Sequence, residues 1–269
     1  MKSSMRRTNA GVTLVELMIS IVVALLVLAG VAGFYIYNLN ATVAIELEGS
    51  MESNLRFGMR NVLLALRNAG YGVPQSNLST WVPWVTGFSG NPLFVSGGSA
   101  TAPDTVSVAA CTAQPVASLA ADAAAGATSL TLDSVSGLDA SHRRLIFIND
   151  SKSAMITAVS GSSITIDTNP LITGNQGTSR KYLVGTPICR VDVVTYSVDT
   201  ATKTLRKDVN QGDGPQPIVA GITNLKVATS SAGTNFKYDV TLTGITSAIV
   251  PGTGAYGTRS LSSSTGAQH

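Results

Sequence analysis

Residues 17–37 contain no charged side chain, and they follow directly on a lone carboxylate, Glu16, and a short basic leader. Wound as an α-helix at about 1.5 Å per residue, this run is about 31 Å long, against roughly 30 Å for the hydrocarbon core of a bilayer. The leader, residues 1–11 (MKSSMRRTNAG), carries Lys2, Arg6 and Arg7 and no acid. An ordinary secretory signal places its apolar stretch ahead of a small-residue cleavage site and is lost with it. Here the evident junction, Gly11–Val12, lies before the apolar run, so a cut there removes the leader and keeps the helix. Residues 12–37 are therefore expected to span a membrane.

Glu16 is the anomaly in that segment. A carboxylate is disfavoured in a membrane helix by roughly 2.5–3.5 kcal/mol at the centre and by less near an end. Two readings follow from local physics. Either Glu16 sits at the interface in the first helical turn, where the helix dipole favours an acid, or it pairs with a cation inside an assembly.

Gly11-Val12-Thr13-Leu14-Val15-Glu16-Leu17-Met18 resembles the prepilin processing motif, Gly–Phe-Thr-Leu-Ile-Glu, of type IV pilins and type II secretion pseudopilins. The resemblance implies a membrane aspartyl peptidase, the prepilin peptidase, that cuts after Gly11 and methylates the new amine of Val12. It also implies that Glu16 pairs with a neighbouring subunit's terminal amine during assembly. Val12 stands where the family usually has Phe.

Residues 13–69 contain no proline. Beyond the apolar run, Leu47, Met51, Leu55, Met59, Val62 and Leu66 recur at spacings of three and four and line one helix face. Glu52 precedes Arg56 as an i,i+4 pair of a few tenths of a kcal/mol. Gly70-Tyr71-Gly72-Val73-Pro74 reads as the stop, glycine first and proline soon after. The expected rod is about 85 Å long, its first half in a membrane or filament and its second half, residues 38–72, packed on a head. Gly30 and Gly33 read either as small-residue contacts between helices or as points of local unwinding.

A second resemblance lies in Asn54-Leu55-Arg56-Phe57-Gly58 and Leu66-Arg67-Asn68-Ala69-Gly70-Tyr71-Gly72, which are similar to a segment of the PilW-type minor pilins. Weaker pieces follow at residues 146–151, 194–198, 204–207 and 218–227. The implied fold class is α+β, type IV pilin-like: a long N-terminal helix on a β-rich head of residues 73–259.

In the head, Ser, Thr, Gly, Val and Ile dominate, the composition of strands and turns. Strands are expected at residues 105–109, 129–132, 145–148, 155–159, 164–167, 191–198 and 238–243, with Ser160-Gly161-Ser162-Ser163 as a hairpin turn. Residues 126–168 read as a small β-module inserted in the head, 117–127 as a loop and 260–269 as a disordered tail. Because PilW-type chains often end in a strand with Arg-Asn, the last strand is expected to be missing.

Only 12% of the residues are charged, and outside Lys2, Arg6 and Arg7 basic and acidic residues balance. No field gathers nucleic acid by bulk charge. The two cysteines, Cys111 and Cys189, fall in the part placed outside the cytoplasm, where a disulfide is favoured over two buried thiols. No cofactor, metal site or catalytic constellation is expected. Asp139, Ser141 and His142 lack the context of a nucleophile, and Asp208-Val209-Asn210-Gln211-Gly212-Asp213-Gly214 reads as a turn rather than a calcium loop. Trp81 and Trp84 read as core packing in preference to a sticky patch.

The resemblances imply a structural protein and not an enzyme: a minor pilin stored in the inner membrane with its head in the periplasm. Its implied partners are the prepilin peptidase, the major pilin and other minor pilins in a tip complex that primes assembly. The alternatives are a type II secretion pseudopilin and a tip adhesin, whose ligand site would be Trp81 and Trp84 or the inserted module.

Overall fold

The computed structural model describes residues 13–73, 78–83, 85, 88, 93–97, 102–111, 115–141, 145–148, 152–232 and 235–266. One helix, α1 (Leu14–Arg67), runs for 54 residues, about 81 Å at the standard rise. Thr13 caps it, its side chain accepting a hydrogen bond from the Glu16 N–H at 3.3 Å. The helix passes unbroken through Gly30 and Gly33, both in open space. Up to residue 40 every described position is exposed. A stripe then develops on one side: Ala41, Ala44 and Leu47 are half-buried, and Met51, Leu55, Gly58, Met59, Val62 and Leu66 are buried. A short helix, α2 (Leu78–Trp81), follows.

Thirteen strands are formed among the described residues: β1 (Leu93–Ser96), β2 (Thr105–Cys111), β3 (Ala117–Ser118), β4 (Ser129–Thr131), β5 (Leu145–Ile148), β6 (Lys152–Ser160), β7 (Ser163–Asp167), β8 (Pro187–Asp199), β9 (Thr204–Asp208), β10 (Gln216–Ala220), β11 (Ile222–Ala232), β12 (Asn235–Ile249) and β13 (Tyr256–Gly266). The larger sheet runs β1-β2-β8-β5-β6-β7-β4, with β9 joining β8 to β10 and β3 also on β8; the smaller is β11-β12-β13. All the pairings are antiparallel. This is the α+β arrangement of a long N-terminal apolar helix and a β-rich head.

The buried stripe of α1 packs on Val106, Leu205, Ile222, Leu225, Val240 and Leu242, so both sheets share one core with the helix. Two glycines set the closeness of that contact. A Cβ on Gly244 would come within 2.9 Å of Leu55 Cγ, and one on Gly58 would meet Leu205 and Val219 at 3.2 and 3.3 Å. Asp104 ties the sheets together. Its N–H donates to the Leu225 carbonyl, and its carboxylate accepts from the Val227 N–H and from Lys226 Nζ, each at 2.9 Å.

A second core lies in the outer part of the head, built on Leu119, Leu130, Leu132, Ile146, Ile148, Ile156, Ile164, Ile166, Tyr182 and Ile188. Residues 126–168 supply β4 to β7 to it, and residues on both flanks complete it. The segment 117–127 is not a free loop. It holds β3, bridges from Leu119 to Leu132 and from Ala123 to Tyr182, and the buried side chains of Leu119 and Ala123.

The expected disordered tail is overturned through residue 266. β13 pairs with β12 from Tyr256 to Gly266, and Thr241 meets Ser262, and Thr243 meets Ser260, at 2.9 Å between hydroxyls. A Ser-rich strand lacks the apolar alternation by which strands are read, and its order comes from the ladder and these hydroxyl pairs. The expectation that the final strand is missing is corrected with it.

Candidate assembly site at the N-terminal helix

The site is the start of α1. Gly11 and Val12 lie outside the described residues. Glu16 is in the first turn, its N–H bound by the Thr13 hydroxyl oxygen, and its carbonyl accepts from Ser20 Oγ at 2.7 Å. Around it Leu14, Val15, Leu17, Met18 and Ile19 are all more than half exposed. Among the described residues no cation pairs with Glu16. The helix presents its apolar surface all round here, and α1 is long and apolar enough to cross a membrane.

The other end of α1 is strapped to the head. The Gly70 N–H donates to the Ala109 carbonyl at 3.0 Å, the Cys111 N–H donates to the Tyr71 carbonyl at 2.7 Å, and Ser153 Oγ donates to the Gly72 carbonyl at 3.0 Å. The Tyr71 ring stands edge-on to Phe147, centroids 5.8 Å apart. Cys111 and Cys189 are joined beside this strap, Cα atoms 5.8 Å apart, linking β2 and β8 where they are already neighbours.

Lower down, three contacts that sequence spacing alone did not reveal hold helix to head. Glu52 pairs with Arg56 within the helix and with Arg259 of β13 at 2.8 Å. The hydrogen bond from Arg56, then the charge of Arg259, hold the Glu52 carboxyl below its ordinary range. Asn54 Nδ2 donates to the Ala220 carbonyl at 3.3 Å. The Tyr196 hydroxyl donates to the Asn61 carbonyl at 3.3 Å, and burial pushes its pKa up to about 12. Glu52–Arg56 was legible as a helical pair; its third partner was not, because Arg259 is 207 residues away.

The remaining candidates divide. Trp81 is buried with Val82, Val85 and Phe88 in a third cluster; Trp84 and His142 lie outside the described residues. Ser141 spends its N–H and its hydroxyl on Asp139 within a turn. In the 208–214 turn, Asn210 donates from its backbone to Asp208 Oδ1, and its side-chain amide donates to the Val193 carbonyl and Thr195 Oγ1. Those amide donors face the sheet.

Comparison with protein families places one match on the segment that forms this site: residues 6–32 match the prokaryotic N-terminal methylation motif. The chain carries that motif. Its matched residues run from residue 6 across Gly11, Val12 and Glu16 and into the apolar part of α1, so the motif covers the Gly11–Val12 junction and the start of the exposed helix together. It is the mark of type IV pilins and pseudopilins, and it implies processing by a prepilin peptidase and assembly with other pilins. No curated protein and no solved structure matches the chain.

Proposed function

We propose that this protein is a minor pilin of PilW type, a structural subunit that waits in the inner membrane and joins a tip complex that primes a type IV pilus. The observation that carries the reading is the methylation motif at residues 6–32 continuing into a helix exposed on every side to residue 40 and locked to a β-rich head thereafter. A helix of that kind requires an apolar surrounding for its first half. A bilayer supplies it during storage and the apolar helices of neighbouring subunits supply it in a filament, while the head stays in water in the periplasm and then at the cell surface. The PilW assignment rests on the resemblance at residues 54–72.

In this reading the prepilin peptidase cuts after Gly11 and methylates Val12. Glu16 is then the counter-charge for a neighbour's terminal amine, the first charged side chain after the new terminus and one with no cation of its own among the described residues. Breaking one side of a buried ion pair costs roughly 3–5 kcal/mol, or roughly two to four decades in an association constant. Glu16→Leu is therefore expected to be cleaved and to remain in the inner membrane, yet to lose crosslinking to other minor pilins and to the major pilin. Glu16→Asp, with its charge on a shorter arm, is expected to keep part of it. Undiminished crosslinking in Glu16→Leu would return Glu16 to an interfacial role.

A further inference from the structure

The turn between β12 and β13 lies at the end of the head nearest the apolar half of α1. Contacts along the strands fix its height. Ser264, Thr265 and Gly266, paired with Asp239, Tyr238 and Lys237, line one groove with Leu64, Arg67 and Asn68. Further down, Arg259, paired with Gly244, reaches Glu52, and Leu55 packs on Gly244. From Tyr238 to Gly244 the strand advances about 20 Å, and from residue 66 to residue 54 the helix descends about 18 Å. Strand and helix therefore run side by side in opposite directions. Continued at the same rate, Tyr256 comes level with about Ile45, and the turn of residues 250–255 reaches past it toward Ala41.

The burial of the helix agrees. Ala41, Ala44 and Leu47 are half-buried, whereas Ala24, Ala29 and Ala32 on the same helix are exposed. Ala41 lies about 6 Å beyond Tyr37, where the apolar run ends, and the headgroup layer outside a bilayer core is about 5–7 Å deep.

The side chains at this tip suit that depth. Ile249 and Tyr256 are paired across the hairpin and are 52% and 46% exposed. The ammonium of Lys203, on the turn between β8 and β9, stands 5.0 Å from the Tyr256 ring centroid. The connecting residues, Val250-Pro251-Gly252-Thr253-Gly254-Ala255, carry no charge. The acid on the Lys203 turn, Asp199, is already taken by Arg206 and by the N–H groups of Ala201 and Thr202. An aromatic ring with a polar rim, an aliphatic side chain and a cation are what membrane–water interfaces select, the cation for anionic phosphate.

Resting on the reading of residues 12–37 as a membrane span, we propose that this hairpin tip is a lipid-contact surface that seats the head on phospholipid headgroups, with Lys203 toward phosphate and Ile249 and Tyr256 toward the acyl boundary. The stored subunit is then held at two points, the helix and the tip, and the second must let go when the subunit is drawn into a filament.

The test is depth-dependent fluorescence quenching of the full chain in vesicles of phosphatidylcholine and phosphatidylglycerol, a fraction of the phosphatidylcholine bearing a nitroxide on its headgroup. Tyr256→Trp keeps an exposed aromatic ring and reports on the tip. Tyr37→Trp reports on the end of the span. Val184→Trp, at a position 60% exposed beyond the opposite end of β8, reports on the far side of the head. Emission of the unsubstituted protein is subtracted. Quenching of Tyr256→Trp is expected to be several-fold that of Val184→Trp, and to be reduced when Lys203→Glu and Ile249→Ser are added. Equal quenching at the tip and the far side, with Tyr37→Trp strongly quenched, overturns the lipid contact and leaves the membrane span intact. An unquenched Tyr37→Trp overturns the span and the lipid contact together.

Discussion

Gly72 has no freedom to be another residue. Its φ of +72° is left-handed, and a Cβ there would meet Cys111 Cβ and Phe147 Cγ, each at 2.9 Å. Gly161 shares the left-handed backbone, at +58°, but has nothing within 4 Å. Gly161→Ala should therefore cost about 1–2 kcal/mol, the backbone penalty alone. Gly72→Ala should cost about 2–4 kcal/mol because the strap around the disulfide must also shift. Urea unfolding midpoints of the two variants separate these contributions; equal losses would mean that the crowding at Gly72 is relieved without cost. Tyr196 acts through its proton. Burial raises the phenol from 10.0 to about 12, while the unfolded chain ionises near the ordinary value. Between about pH 10 and 12 unfolding releases a proton that the folded protein keeps, so stability is full below that window and falls as pH rises through it. Tyr238 shifts in the same direction for the same reason. Tyr196→Phe should lose about 1 kcal/mol at neutral pH with its bond to the Asn61 carbonyl, and its stability should fall less steeply in alkali. An unchanged alkaline slope would remove Tyr196 from that role.

At the scale of elements, α1 reads from the sequence and the head reads only in part, for a physical reason. The positions that face the core, Met51, Leu55, Met59, Val62 and Leu66, repeat within one turn of each other, so local spacing is enough to find them. The expected strands at 105–109, 155–159 and 191–198 fall inside β2, β6 and β8 because each carries its own apolar residues. β13 has Leu261 as its one aliphatic side chain, and no local pattern reveals its pairing with β12. The site shows the same division: the motif that contains Glu16 is legible because it is contiguous in sequence, whereas Arg259 on Glu52 and Tyr196 on Asn61 are products of the fold. The contact between α1 and β12 is itself testable. Leu55→Ala should cost about 2–5 kcal/mol as a cavity in a buried site, and Gly244→Val about 1–3 kcal/mol by overpacking against Leu55. Because the two side chains compete for one space, the double variant should be more stable than the sum of the single losses implies. Strict additivity in thermal unfolding would place them in separate environments.

The helix α1 is a rod with two kinds of surface. One half of α1 is apolar on every side and carries a single carboxylate; the other half is fixed to the head by a shared core, by Glu52 to Arg259 and by the Gly70–Gly72 strap. Head and helix therefore form one body, and on the proposed transfer from bilayer to filament the surroundings that change are those of the first half of α1 and of the β12–β13 tip. On the proposed function that exchange requires the leader to be gone, since Lys2, Arg6 and Arg7 would otherwise enter an apolar assembly beside Glu16. The most direct measurement is the intact mass of the protein purified from membranes of cells with an active prepilin peptidase. The expected result is a chain that begins at Val12 with one added methyl group, and only the precursor when Gly11→Val is introduced. A chain that still begins at Met1 in those cells would contradict it.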